Sequence, residues 1–107
     1  SNTPPNGGAG SASSITGTSV TRAAGGSSKN GVTIAGIAGT ANTGNGADGA
    51  FTYNGAAQNG TAGGSGIVII SYPTSDGLAV STTGSPTQTT SGSNYVYQWT
   101  GSGSITF

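Results

Sequence analysis

Asn-Gly pairs punctuate this chain at Asn6-Gly7, Asn30-Gly31, Asn45-Gly46, Asn54-Gly55 and Asn59-Gly60, with Asp48-Gly49 added. These dipeptides supply the positive φ of tight turns, so only short extended runs fit between them. No ten-residue window lacks Gly while placing apolar residues at helical spacing, which nearly excludes helices. The pattern predicts an all-β fold, a small Gly-rich β-sandwich or meander with long loops, completed by oligomerisation. Composition alone permits a disordered reading of the Gly/Ser/Thr/Asn tract. Against it stand short β-branched clusters between the turn residues and the near absence of charge.

The 107 residues suffice for one domain, but a hydrophobic fraction of 31% predicts a thin core. Two Lys/Arg against two Asp/Glu leave no field to steer nucleic acid or an anionic membrane. The longest apolar run, Ile67 to Ile70, is far too short to span a bilayer. Without His or Cys the chain lacks the thiol nucleophile, the usual acid/base at neutral pH and the commonest metal ligands. The expectation is no enzyme and no cofactor. Disulfides are excluded as staples, which leaves self-association as the natural stabiliser. Ser1 at the start and the absence of Met suggest a processed product or a piece of a longer protein.

Composition changes after Gly66. Residues 1–66 are low in complexity, with candidate strands at Ser14 to Arg22, Val32 to Ile37 and Phe51 to Tyr53. Residues 67–107 read as a β-meander that closes the chain. Ile67 to Tyr72, ending at Pro73, has the unbroken β-branched character of a central strand buried on both faces. Leu78 to Val80 and a Ser/Thr-rich loop follow. Tyr95, Tyr97 and Trp99 then alternate at period two, giving one strand face an aromatic stripe. Gly101 to Gly103 form a turn before the last strand, Ser104 to Phe107.

The segment Gly63-Gly64-Ser65-Gly66-Ile67-Val68-Ile69-Ile70-Ser71-Tyr72-Pro73 resembles the closing segment of glycine-rich domains from bacteriophage tail-fibre and other virion surface proteins. Gly39 to Gly46 is similar to the Gly/Thr/Ala/Asn stretch of that family, and Ser91 to Phe107 to the hairpins that follow it. The likeness covers roughly Gly36 to Phe107. It implies a structural module of a tail fibre, head fibre or capsid decoration on the virion surface, extracellular and usually homotrimeric. Its implied partners are other virion proteins and a host surface glycan, with no nucleic acid and no membrane insertion. Ser71 stands where the family usually has Arg, and the long Gly runs are thinned, which favours a sandwich or meander over an extended polyglycine lattice. The competing class is a subunit of a bacterial or archaeal extracellular filament or an adhesin.

Several motifs have a plain structural reading beside a chemical one. Gly44-Asn45-Gly46-Ala47-Asp48-Gly49 fits the dinucleotide fingerprint and part of a calcium β-roll repeat, yet no helix start follows and one copy supplies too few oxygens. Turns are the better reading there, as they are for Asp76-Gly77. Lys29 beside Ser27 and Ser28 admits a Ser-Lys dyad, against the commoner surface lysine. Asn59-Gly60-Thr61 matches a glycosylation acceptor that would be idle in a phage product. The one binding candidate is Tyr95, Tyr97 and Trp99, whose rings could stack on sugars but more naturally supply core or a subunit interface.

Overall fold

The computed structural model describes residues 5–29, 33–52, 55 and 57–107. Its strands are β1 (Ser11–Ser13), β2 (Val20–Arg22), β3 (Val68–Pro73), β4 (Ser81–Thr83), β5 (Thr87–Ser91), β6 (Asn94–Trp99) and β7 (Ser104–Thr106). A short 3₁₀ turn at Thr74–Asp76 is the one helical element among the described residues, so the fold is all-β. Two compact units divide the chain: Ser1–Ser11 with Thr21–Gly66, and Ala12–Val20 with Ile67–Phe107. The composition step after Gly66 coincides with a unit boundary. Residues 12–20, however, fall in the second unit.

The expected strand from Ser14 to Arg22 is instead the turn between β1 and β2 followed by β2 itself. Gly17 takes φ 95°, and its amide donates to the Ser14 carbonyl at 2.8 Å, which reverses the chain where a strand would have run on.

In the first unit the expected strands at Val32–Ile37 and Phe51–Tyr53 reduce to one bridge, Ile34 with Phe51. Val32, Tyr53, Asn54 and the Asn30-Gly31 pair lie outside the described residues. What joins the remaining segments is a hydrogen-bond pattern of period three. The Thr43 carbonyl accepts from Ala23 N (2.9 Å), Gly46 N donates to the Ala24 carbonyl (2.8 Å), and Gly49 N donates to the Ser27 carbonyl (2.9 Å). A second side of the same segment bonds Asp48 N to the Ile37 carbonyl at 2.8 Å and Phe51 to Ile34. On a third side Gly64 N donates to the Asn45 carbonyl at 2.7 Å, and Gly44 N to the Ser65 carbonyl at 2.8 Å.

A sheet strand has two edges and repeats every two residues; residues 43–51 have three bonded neighbours, and toward two of them the bonds recur every three residues, at 43, 46 and 49 and at 48 and 51. Three is the period of the polyproline II helix, which makes no internal hydrogen bonds and leaves its amides and carbonyls to neighbours. Such close approach of backbones requires glycine. A Cβ on Gly26 would run into the Ala47 carbonyl, one on Gly39 into the Asn45 carbonyl and the Gly64 amide, and one on Gly64 into the Thr40 carbonyl. The first unit is therefore a short glycine lattice, against the expectation from the thinned Gly runs. Only the positions that face a neighbour need to lack a side chain, so Ala, Asn and Asp fit between them.

The second unit is a side-chain core on a β-sheet. Its three-stranded sheet has the order β3-β6-β5, all antiparallel, and β4 pairs with β7 as a separate two-stranded ribbon. The aromatic strand β6 is central and contributes all the buried hydrophobic side chains: Val96, Tyr97 and Trp99. The apolar run expected in the middle, β3, is an edge strand, with Val68 59% exposed. Pro73 gives a reason, since a residue without an amide hydrogen is tolerated at a sheet edge and rarely within it. The Ser/Thr-rich stretch read as a loop contains β4 and β5, and Gly92 at φ 58° turns β5 into β6.

Candidate interaction surface

Register places the aromatic residues on one face. Tyr72 lies opposite Tyr95, Ile70 opposite Tyr97 and Val68 opposite Trp99, and directly paired residues of antiparallel strands point the same way. Tyr72 stacks on Tyr97 (centroids 6.0 Å, planes at 7°) and meets Tyr95 and Phe107 edge-on at 5.8 and 5.2 Å. Tyr97 continues the stack onto Trp99 at 6.0 Å. These offset and edge-to-face geometries are the ones that ring quadrupoles favour.

Polar atoms of the rings fasten the ladder to loops. The Trp99 indole Nε1 donates to the Thr83 carbonyl at 2.9 Å, and the Tyr97 hydroxyl accepts from the Ala79 amide at 3.2 Å. Gly103 lies so close to Trp99 and the Thr83 carbonyl that a side chain there would displace the indole. The Tyr72 hydroxyl is buried without a hydrogen-bond partner. Loss of water around it, reinforced by the neighbouring Tyr97, pushes the phenol above its ordinary value.

Of the stripe predicted from sequence, Tyr97 and Trp99 are each 5% exposed, and Tyr95 is half-buried. Tyr97 and Trp99 spend their ring faces inside the unit. What remains open beside them is an apolar cleft of about 330 Å³, walled by Val68, Ile70, Trp99 and Ile105 and floored by the turn at Gly101–Gly103. Leu78, Val80 and Phe107 are also largely exposed in this unit. The cleft is not legible in the sequence, because Val68 and Ile105 read there simply as apolar strand residues. The strand order that leaves Val68 at an edge carries no local signal.

The other candidates resolve into lattice bonds. Asn45 Oδ1 accepts from Ala24 N at 3.0 Å, and three residues on, Asp48 Oδ1 accepts from Ser27 N at 2.8 Å. Each side chain thereby completes a two-point grip, because the following glycine, Gly46 or Gly49, donates to the carbonyl of that same partner residue. The Asn45-Gly46 and Asp48-Gly49 pairs are thus extended lattice residues, not turns. The turn lies just before them, with Asn42 at φ 62° and Gly44 at φ 67°. Asp48 Oδ2 meets Lys29 Nζ at 2.8 Å, and this ammonium together with the Ser27 amide holds the carboxyl below its ordinary value.

That arrangement engages both carboxylate oxygens of Asp48 with donors of the fold, Ser27 N on one and Lys29 Nζ on the other. It also engages Lys29 as an ion-pair partner, while Ser27 Oγ accepts from Gly7 N and Ser28 Oγ donates to the Pro5 carbonyl. Asp76 sits exposed in the 3₁₀ turn. Among the described residues no three His, Cys, Asp or Glu gather as a metal site, and no helix is long and apolar enough to cross a membrane. No family model matches the chain, and neither a curated protein nor a solved structure matches it.

Proposed function

We propose that the chain is a structural module of a bacteriophage surface appendage, a tail or head fibre, acting by shape and contact. The observation that carries the reading is the glycine lattice, a construction in which hydrogen bonds between backbones, assisted by the Asn45 and Asp48 side chains, supply the cohesion. The resemblance of residues 63–73 to virion glycine-rich domains gives that lattice its setting on a virion surface. The second unit supports a reading of self-association. Edge strands β3 and β5 carry no Lys, Arg, Asp or Glu to discourage pairing, and the apolar cleft lies against β3. A homotrimer that closes these edges is the proposed assembly, with exposed loops left for a host surface glycan or for other virion proteins.

Absolute molar mass by light scattering across a dilution series tests the assembly. The reading expects a stable mass near three times the 10.0 kDa chain. A persistent monomer would overturn the trimer. Growth without limit would favour the filament subunit, since a contact whose rotation does not close builds an open polymer.

A further inference from the structure

Asn-Gly pairs are chemically labile as well as good turn formers. The glycine nitrogen can attack the asparagine side-chain carbonyl, because no Cβ on the following residue obstructs it. We infer that Asn59 is a site of spontaneous covalent modification in the folded protein, and that the lattice protects Asn45 from the same reaction. In the step, Gly60 N loses its proton to solvent base and forms a bond to Asn59 Cγ, and the side-chain amide nitrogen leaves as ammonia. Water then opens the resulting five-membered imide at either carbonyl, giving aspartate or isoaspartate. Water is the only co-reactant and nothing is oxidised or reduced.

The two sites differ in what holds the reacting atoms. At Asn45 the attacking nitrogen, Gly46 N, donates to the Ala24 carbonyl at 2.8 Å, and the side-chain oxygen accepts from Ala24 N at 3.0 Å. Both bonds must break before the nitrogen can reach Cγ, so the rate is scaled down by the cost of local opening. At Asn6 the attacking Gly7 N makes a single, longer bond to Ser27 Oγ, 3.2 Å. Asn59 and Gly60 are both exposed, with nothing within 4 Å of the place where a Gly60 Cβ would lie, and neither residue has a hydrogen-bond partner among the described residues. Conversion adds a negative charge to a chain whose formal net charge is zero.

The test incubates the intact protein at mildly alkaline pH, in buffer and in strong denaturant. Asn-Gly sites are then read in chymotryptic fragments by mass spectrometry and by enzymatic methylation of isoaspartate. The folded protein is expected to convert Asn59 at least about tenfold faster than Asn45, with Asn6 between them, and the denatured chain to convert them at similar rates. Gly60→Ala, which meets open space, is expected to suppress conversion at Asn59 while leaving the fold intact. Equal rates at Asn59 and Asn45 in the folded protein, or an unreactive Asn59 that reacts only in denaturant, would overturn the inference.

Discussion

The two units achieve order by opposite means. In the first, backbone meets backbone: residues 43, 46 and 49 bond one neighbour, 48 and 51 a second, and glycines stand where a Cβ would strike a carbonyl. In the second, side chains meet side chains: four rings and an indole form a continuous ladder over a sheet whose one fully buried residue is Val96. A chain that is 31% hydrophobic cannot fill two cores with side chains. It concentrates its large residues in one unit and removes side chains from the other. The comparison teaches that glycine richness here is a packing solution, in which hydrogen-bonded backbones replace hydrophobic burial at close approach.

The sharpest way to break the contrast is to remove the large side chain. Trp99→Ala is expected to destabilise the second unit by about 3–5 kcal/mol, through a cavity and the loss of the indole bond to Thr83. Hydrogen exchange should then show lost protection at 94–99. In the first unit the converse change adds atoms: Gly39→Ala places a methyl group against the Asn45 carbonyl and the Gly64 amide. A loss of about 1–3 kcal/mol is expected, with protection disappearing at 44–49 in the same measurement. Deleting an acceptor is gentler. Asn45→Ala strands the Ala24 amide and is expected to cost about 1 kcal/mol in chemical denaturation.

Acidity offers a further lever on the lattice. The folded-state carboxyl of Asp48 lies below the ordinary aspartate value of 3.8, so its contribution is fully present above that pH and is lost as pH falls through the lower, folded value. Thermal melts of the protein should show this acid-side decline, and Asp48→Asn should remove it. The smallest effect is expected at Gly60→Ala, where the added methyl meets open space. A change within about 0.5 kcal/mol there would separate glycines the lattice needs from those it merely contains.

The all-β character and the aromatic alternation were legible in the sequence, because turn dipeptides and period-two side chains are local signals. Strand order was not. The β-branched run of β3 reads as a centre, and only its pairing with β6 alone, ending at Pro73, makes it an edge. The lattice was not read from the sequence, where its one trace is glycine at spacing three in Gly7/Gly10, Gly36/Gly39 and Gly46/Gly49. Hydrophobic periodicity cannot report that repeat, since the residues that carry it have no side chain. The roles of Asn45 and Asp48 were hidden for a related reason: the dipeptides that make turns also present a carbonyl-type side chain beside an unobstructed amide, and long-range partners decide which use prevails.

Through-hydrogen-bond NMR couplings tested on residues 43–51 bear most directly on the lattice. The structure predicts correlations from Gly46 N to the Ala24 carbonyl and Gly49 N to the Ser27 carbonyl. It also predicts Asp48 N to the Ile37 carbonyl and Gly64 N to the Asn45 carbonyl, which together give three neighbours, the first of them bonded at a spacing of three. Correlations confined to two neighbours at alternate residues would make this segment an ordinary sheet strand and contradict the account.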